Sequence, residues 1–137
     1  MRGSGVVVTI KNARGKGAAH VVYFAFRQSR NAAYDMKAAL LDTDTDWNDK
    51  TRIAARKSKI HVLPCRPCLE AVLLTVHLAP VDGRKTAQLK QDFSVRFGAA
   101  ASDASVLRHF SREVIDAALA RVEVLRGLVN LMTSATV

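Results

Sequence analysis

The sequence predicts an α/β fold: a small, mainly parallel sheet of about three strands, flanked by helices and followed by a helical cap. Three observations carry this. Short apolar or β-branched runs alternate with helical patterns over residues 5–80, in the order β-α-β-α-β-α that sets parallel strands under crossover helices. One apolar stripe, Leu107, Phe110, Val114, Ala118, Val122, Leu125, Val129 and Met132, then recurs at three- and four-residue spacing. With 49% of its 137 residues apolar, the chain can bury a core as a single domain over 1–137.

The elements follow in order. Val6-Val7-Val8-Thr9-Ile10 is almost wholly β-branched and reads as a buried strand. Residues 11–17 form a basic, glycine-punctuated loop, and residues 18–30 fit a helix that buries Val21, Val22, Phe24, Ala25 and Phe26. Residues 36–42 combine helical propensity with a short apolar run that ends in aspartates, and read as a strand. Asp46 or Asn48 caps a polar helix that reaches Ser58. Ile60-His61-Val62-Leu63 is a third strand, Pro64-Cys65-Arg66-Pro67 a turn, and residues 68–78 an apolar helix. The β/α core spans 5–80. The cap, 84–133, holds a helix over 86–97, a loop over 99–105 and one long helix over 105–132.

Composition narrows the function classes. A formal charge of +9 favours anionic partners, although excess Lys and Arg also serves solubility. No apolar run is long enough to span a bilayer, and the N-terminus has no apolar signal region, so no membrane partner is expected. Two cysteines without a secretory signal predict a reducing cytoplasm.

Against this basic background, Asp35, Asp42, Asp44, Asp46 and Asp49 gather five of the 12 acids. In an extended backbone Asp42, Asp44 and Asp46 share one side, where like charges call for a cation. A divalent metal shown to a phosphate-rich partner is one reading; a solvated loop with an Asp-rich helix cap is the other. A calcium loop is excluded, since its glycine and glutamate positions hold Trp47 and Ile53. Gly15-Lys16-Gly17 is not an NTPase loop, because Ile10 replaces its first glycine and Gly17 its Ser or Thr. Arg14 and Lys16 could still touch phosphate, although a simple turn also explains them. Cys65-Arg66-Pro67-Cys68 sits where a redox pair would, and His61 and His77 would complete a zinc set. One short-spaced pair is a weak signal for either. Glu70 lies in the first turn of its helix, where the dipole alone accounts for a carboxylate. Like Asp42 it follows a strand end, where parallel sheets bind ligands. Lys50, Arg52, Arg56, Lys57, Lys59 and Arg66 form a basic run that fits a nucleic-acid backbone or a solvated helix face.

Together these segments resemble a Toprim domain, closest to the RloB-like group associated with bacterial and phage defence loci. Leu41-Asp42-Thr43-Asp44 is similar to the Toprim Asp-x-Asp motif, and Tyr34-Asp35 to the Tyr-Asp lead-in. Pro67-Cys68-Leu69-Glu70-Ala71-Val72-Leu73-Leu74 resembles the Pro-Cys-Phe-Glu-x-Trp-Leu-Leu segment, with Leu69 and Val72 replacing aromatics. The resemblance implies a Toprim/Rossmann-like sheet and a nuclease of a defence or mobile-element system, acting on DNA or RNA with a partner ATPase. It implies Mg²⁺ or Mn²⁺ held by Asp42 and Asp44, with Asp46 from the same acidic run, and Glu70 as the acidic catalytic partner. Toprim domains open with a strand ending in glutamate; here Met1-Arg2-Gly3-Ser4-Gly5 reads like a leader, and the chain starts on the second strand. The expectation therefore has two forms: a metal-dependent nuclease-like protein, or a non-catalytic nucleic-acid- or protein-binding module on the same scaffold. A missing first strand would also leave a neighbouring edge open, and a homodimer is the expected consequence.

Overall fold

The computed structural model describes residues 7–14, 16–30 and 32–134. In chain order it contains α1 (Ala18–Ser29), β1 (Lys37–Asp42), α2 (Asp49–Lys57), β2 (Ile60–Cys65), α3 (Leu69–Val76) and α4 (Thr86–Phe97). A 3-10 helix (Ala104–His109), α5 (Arg112–Ala118) and α6 (Glu123–Ser134) complete it. The α/β class is as the sequence predicts. β1 and β2 pair in parallel, from Lys37 opposite Ile60 to Asp42 opposite Cys65.

Strand alternation sorts the core into two sides. Ala39 and Leu41 of β1, with Ile60 and Val62 of β2, pack on Ala18 and Val22 of α1 and Ala55 of α2. On the opposite side Cys65 meets Val72 and Val76 of α3, Ala118 of α5 and Val122. There α6 crosses β2 so closely that a Cβ on Gly127 would stand 3.1 Å from Leu63. A third cluster joins α3 to the cap through Leu74, Leu89, Phe93, Phe97 and Val106. Leu89 and Phe93 are fully buried, each contributing about 2 to 3 kcal/mol by leaving water.

Two expectations are corrected. The sheet has two strands among the described residues, not three. Residues 7–10 form no strand, and Val7 and Ile10 are 91% and 84% exposed; Val6 lies outside the described residues. β-branched residues favour a pleated surface, but the preference is expressed only where an edge supplies hydrogen bonds. The long C-terminal helix is three short ones. The Asp103 side chain accepts from the Ser105 amide (2.9 Å) and the Ser111 hydroxyl from the Val114 amide (3.3 Å), so two caps each start a new helix. Between α5 and α6, Arg126 donates to the Leu119 and Ala120 carbonyls (3.0 and 2.9 Å), closing the first helix end. Leu107, at the head of the apolar stripe, is consequently exposed. Among the described residues, no helix is long and apolar enough to cross a membrane.

Candidate functional site

Parallel pairing brings the C-terminal ends of β1 and β2 together, and α3 starts at the same end. Asp42, the last residue of β1, turns one carboxylate oxygen to the Leu69 amide at 2.9 Å. This bond satisfies an unpaired donor at the start of α3. Burial nevertheless raises the Asp42 pKa; the Leu69 bond opposes the rise, and the Asp44 and Glu70 carboxylates add to it.

Beyond Asp42 the chain folds back rather than staying extended. The Thr43 and Asp44 amides both donate to the Pro67 carbonyl, at 3.0 and 3.1 Å, and Thr43 also donates to Cys65. This corrects the picture of three aspartates on one side of a strand. Asp44 stays near Asp42, whereas Asp46 turns to α1. Its Oδ1 accepts from the Ala18 amide at 2.6 Å and the Ala19 amide at 3.2 Å. These amide bonds, Ala19 first, hold its pKa below the ordinary carboxylate value. Gly17 makes the approach possible: a Cβ there would lie 2.9 Å from Asp46 Oδ1, and its φ of 94° suits glycine. The cap of α2 is Asn48, whose side chain accepts from the Thr51 amide at 3.0 Å.

Glu70, in the first turn of α3, is drawn in by a residue that sequence reading did not single out. Lys90 of α4 donates to Glu70 Oε2 at 3.1 Å. Burial alone would lower the Lys90 pKa, but the Glu70 hydrogen bond and the Glu70 and Asp42 charges outweigh it and raise the value. The other Glu70 oxygen is buried without a hydrogen bond. The linear sequence offers one hint of Lys90: it follows Leu89 on the border of the Leu89–Phe93–Phe97 stripe, so it overhangs the core.

The two thiols beside these acids are both free and buried. Burial, then the Asp42 charge, pushes Cys65 up to about 12, and burial also raises Cys68. A redox pair needs a lowered thiol pKa, so this environment opposes that chemistry. His77 bonds the His109 carbonyl at 2.7 Å and stacks edge-on against Phe97 and Phe110, away from any zinc set.

The basic residues divide by position. Lys50 and Arg52 lie in the first turn of α2, at the end where the strands finish; Arg56 and Lys57 lie in its last turn, about 10 Å along the axis. Arg14 and Lys16 belong to the loop ahead of α1, and both have positive φ (61° and 72°). Arg66 lies in the turn after β2. With Thr43, Pro67 and Gly83 it lines an open cleft shared with Arg84, another residue that sequence reading missed.

For a divalent cation the donor set fits only in part. Among the described residues, no three His, Cys, Asp or Glu side chains form a metal-holding group. Asp46 is committed to α1 and Glu70 to Lys90, leaving Asp42 and Asp44. Two carboxylates with water suit Mg²⁺ in sites completed by substrate phosphates. Comparison of the chain with family models, with curated proteins and with solved structures gave no match.

Proposed function

We propose that the chain binds the phosphate backbone of nucleic acid through Lys50, Arg56, Lys57 and Arg66, with Arg14, Lys16 and Arg52 at its margins. One observation carries this. These four side chains are exposed, and none pairs with a carboxylate among the described residues; within the basic run the ion pair is Arg52 with Asp49, at 3.5 Å. Exposed cations without internal partners are free to replace counterions on a polyanion. No aromatic residue interleaves them, so the contact is to the backbone rather than to stacked bases. Fluorescence anisotropy with labelled single-stranded DNA, duplex DNA and single-stranded RNA tests the reading. Saturable low-salt binding that weakens in Lys50→Ala/Arg66→Ala supports it, and absence of binding to all three probes overturns it.

A second reading, Toprim-type phosphodiester processing in a defence or mobile-element system, is favoured by the acids at the strand ends. Glu70, only 12% exposed and paired with Lys90, stands close enough to Asp42 for the two charges to interact. Asp42 and Asp44 would hold Mg²⁺ or Mn²⁺, which would neutralise charge on a phosphate diester. Glu70 would stand as the third acid, with its proton balance set by Lys90. Calorimetric Mn²⁺ titration beside Asp42→Asn/Asp44→Asn separates the readings. Saturable binding that vanishes in the variant favours the second, and identical curves leave the non-catalytic binding module.

A further inference from the structure

Two uncovered features share one side of the sheet, and a third lies earlier in the chain. β1 pairs with β2 on one edge, and among the described residues its other edge presents unpaired amides and carbonyls. Above that edge lies a bare flank of α1. α1 and α2 share one face of the sheet, both packed on the side of Ala39, Leu41 and Ile60. α2 follows β1 and leads to β2, so it covers the flank of α1 on the β2 side. The opposite flank carries Ala19, Tyr23 and Phe26, spaced i, i+4, i+7 and all exposed. The Arg27 and Arg30 guanidinium groups lie over the Tyr23 and Phe26 rings, each 5.8 Å from a centroid. The third feature is residues 7–10, rich in β-branched side chains yet unpaired with any strand, with Val7 and Ile10 exposed.

Connection handedness ties the three together. A strand that precedes α1, joined by a right-handed crossover on the face α1 occupies, belongs beside β1 on the edge away from β2 and parallel to it. Residues 7–10 therefore have the composition and the place in the chain to pair with the free β1 edge, on the side of the sheet that α1 covers. Within one chain they are not paired with β1. The connecting loop is pinned by the Arg14 amide on Asn12 Oδ1 (2.7 Å) and by His20 Nε2 against the Ala13 carbonyl (3.1 Å). It also holds Arg14 and Lys16 at positive φ. A short connection under strain next to an unfilled strand site is the setting in which identical chains exchange a segment.

We infer that residues 7–10 of a second copy add to the free edge of β1 as a third, parallel strand, reciprocally in a two-fold dimer, with Val and Ile side chains against Tyr23 and Phe26. Sedimentation equilibrium of the full chain tests this with two variants. Val8→Pro/Thr9→Pro removes the amide that would bond to β1 whichever of the two faces it. Phe26→Glu places a charge on the receiving flank. The wild type should be a dimer, its dissociation constant rising at least about tenfold in each variant. Amide exchange at Thr9 and Ile10 should slow as concentration rises. A monomeric wild type overturns the proposal: concentration-independent protection at those amides would mean the chain's own segment fills the edge, and free exchange would mean the edge stays open. A dimer unaffected by either variant also overturns it, by placing the interface elsewhere. Val8 and Thr9 lie outside every helix and strand, so the donor variant keeps the fold and reads the outcome even if Phe26→Glu does not.

Discussion

Asp46 holds the start of α1 through two amides on one carboxylate oxygen, and Asp46→Ala should lower the unfolding free energy by about 1 kcal/mol. A lower urea midpoint with an unchanged slope would register that loss. The effect should also depend on pH. The folded pKa lies below the ordinary 3.8, so the carboxylate's contribution is complete above that value and disappears as pH falls through the folded pKa. Wild type and variant should therefore converge in acid, and a gap that persists there would mean the carboxylate does not act through its charge. Alternate aspartates suggested a shared face because spacing speaks only for extended backbone. The strand stops at Asp42, and the amides that claim Asp46 are 27 and 28 residues away, beyond any local pattern. The Glu70–Lys90 pair was equally hidden. Lys90 is half exposed and Glu70 largely buried, so Lys90→Met should cost about 1 to 2 kcal/mol, between the values of surface and buried pairs. Adding Glu70→Leu should recover much of that loss, since no carboxylate is then left without its cation. An additive double variant, read from denaturation midpoints, would show that the pair is not coupled.

At the scale of elements, the amphipathic and apolar patterns were legible and the interruptions were not. Residues 86–97 read as a helix, and α4 has those bounds, since the Leu89–Phe93–Phe97 stripe is buried and Gly98, at φ 82°, closes the end. β1 was legible despite its helical propensity, because its short apolar run ended in aspartates and tertiary pairing overrode propensity. The break at Phe110–Ser111 was missed because three- and four-residue spacing runs unchanged across a cap, while the cap is a single hydroxyl. Ser111→Ala should restore a local preference for continuous helix and remove the acceptor of the Val114 amide. A stability loss of about 0.5 to 1 kcal/mol is expected, together with a small gain in helical circular dichroism. An unchanged midpoint would mean that packing of Val106 and Ala118, rather than the cap, sets the break.

For the whole molecule, the net charge of +9 was legible from composition, and the fold decides where it acts. Four of the acids are engaged by other elements: Asp42 by α3, Asp46 by α1, Glu70 by Lys90 and Asp92 by Arg84 at 2.8 Å. Among the described residues, Lys50, Arg56, Lys57 and Arg66 face water without such partners. A polyanion bound by those four charges should release a matching number of counterions. The logarithm of its affinity should then fall against the logarithm of salt with a slope of about −3 on single strands and −3.5 on duplex DNA. Lys50→Ala/Arg66→Ala should shrink that slope by about 1.5 to 2, while Asp42→Asn/Asp44→Asn should leave it unchanged. The pattern discriminates because it separates backbone neutralisation from chemistry at the strand ends. A slope that the aspartate variant alters and the basic variant does not would place the nucleic acid at the acids, and only the metal-dependent reading accommodates a polyanion there.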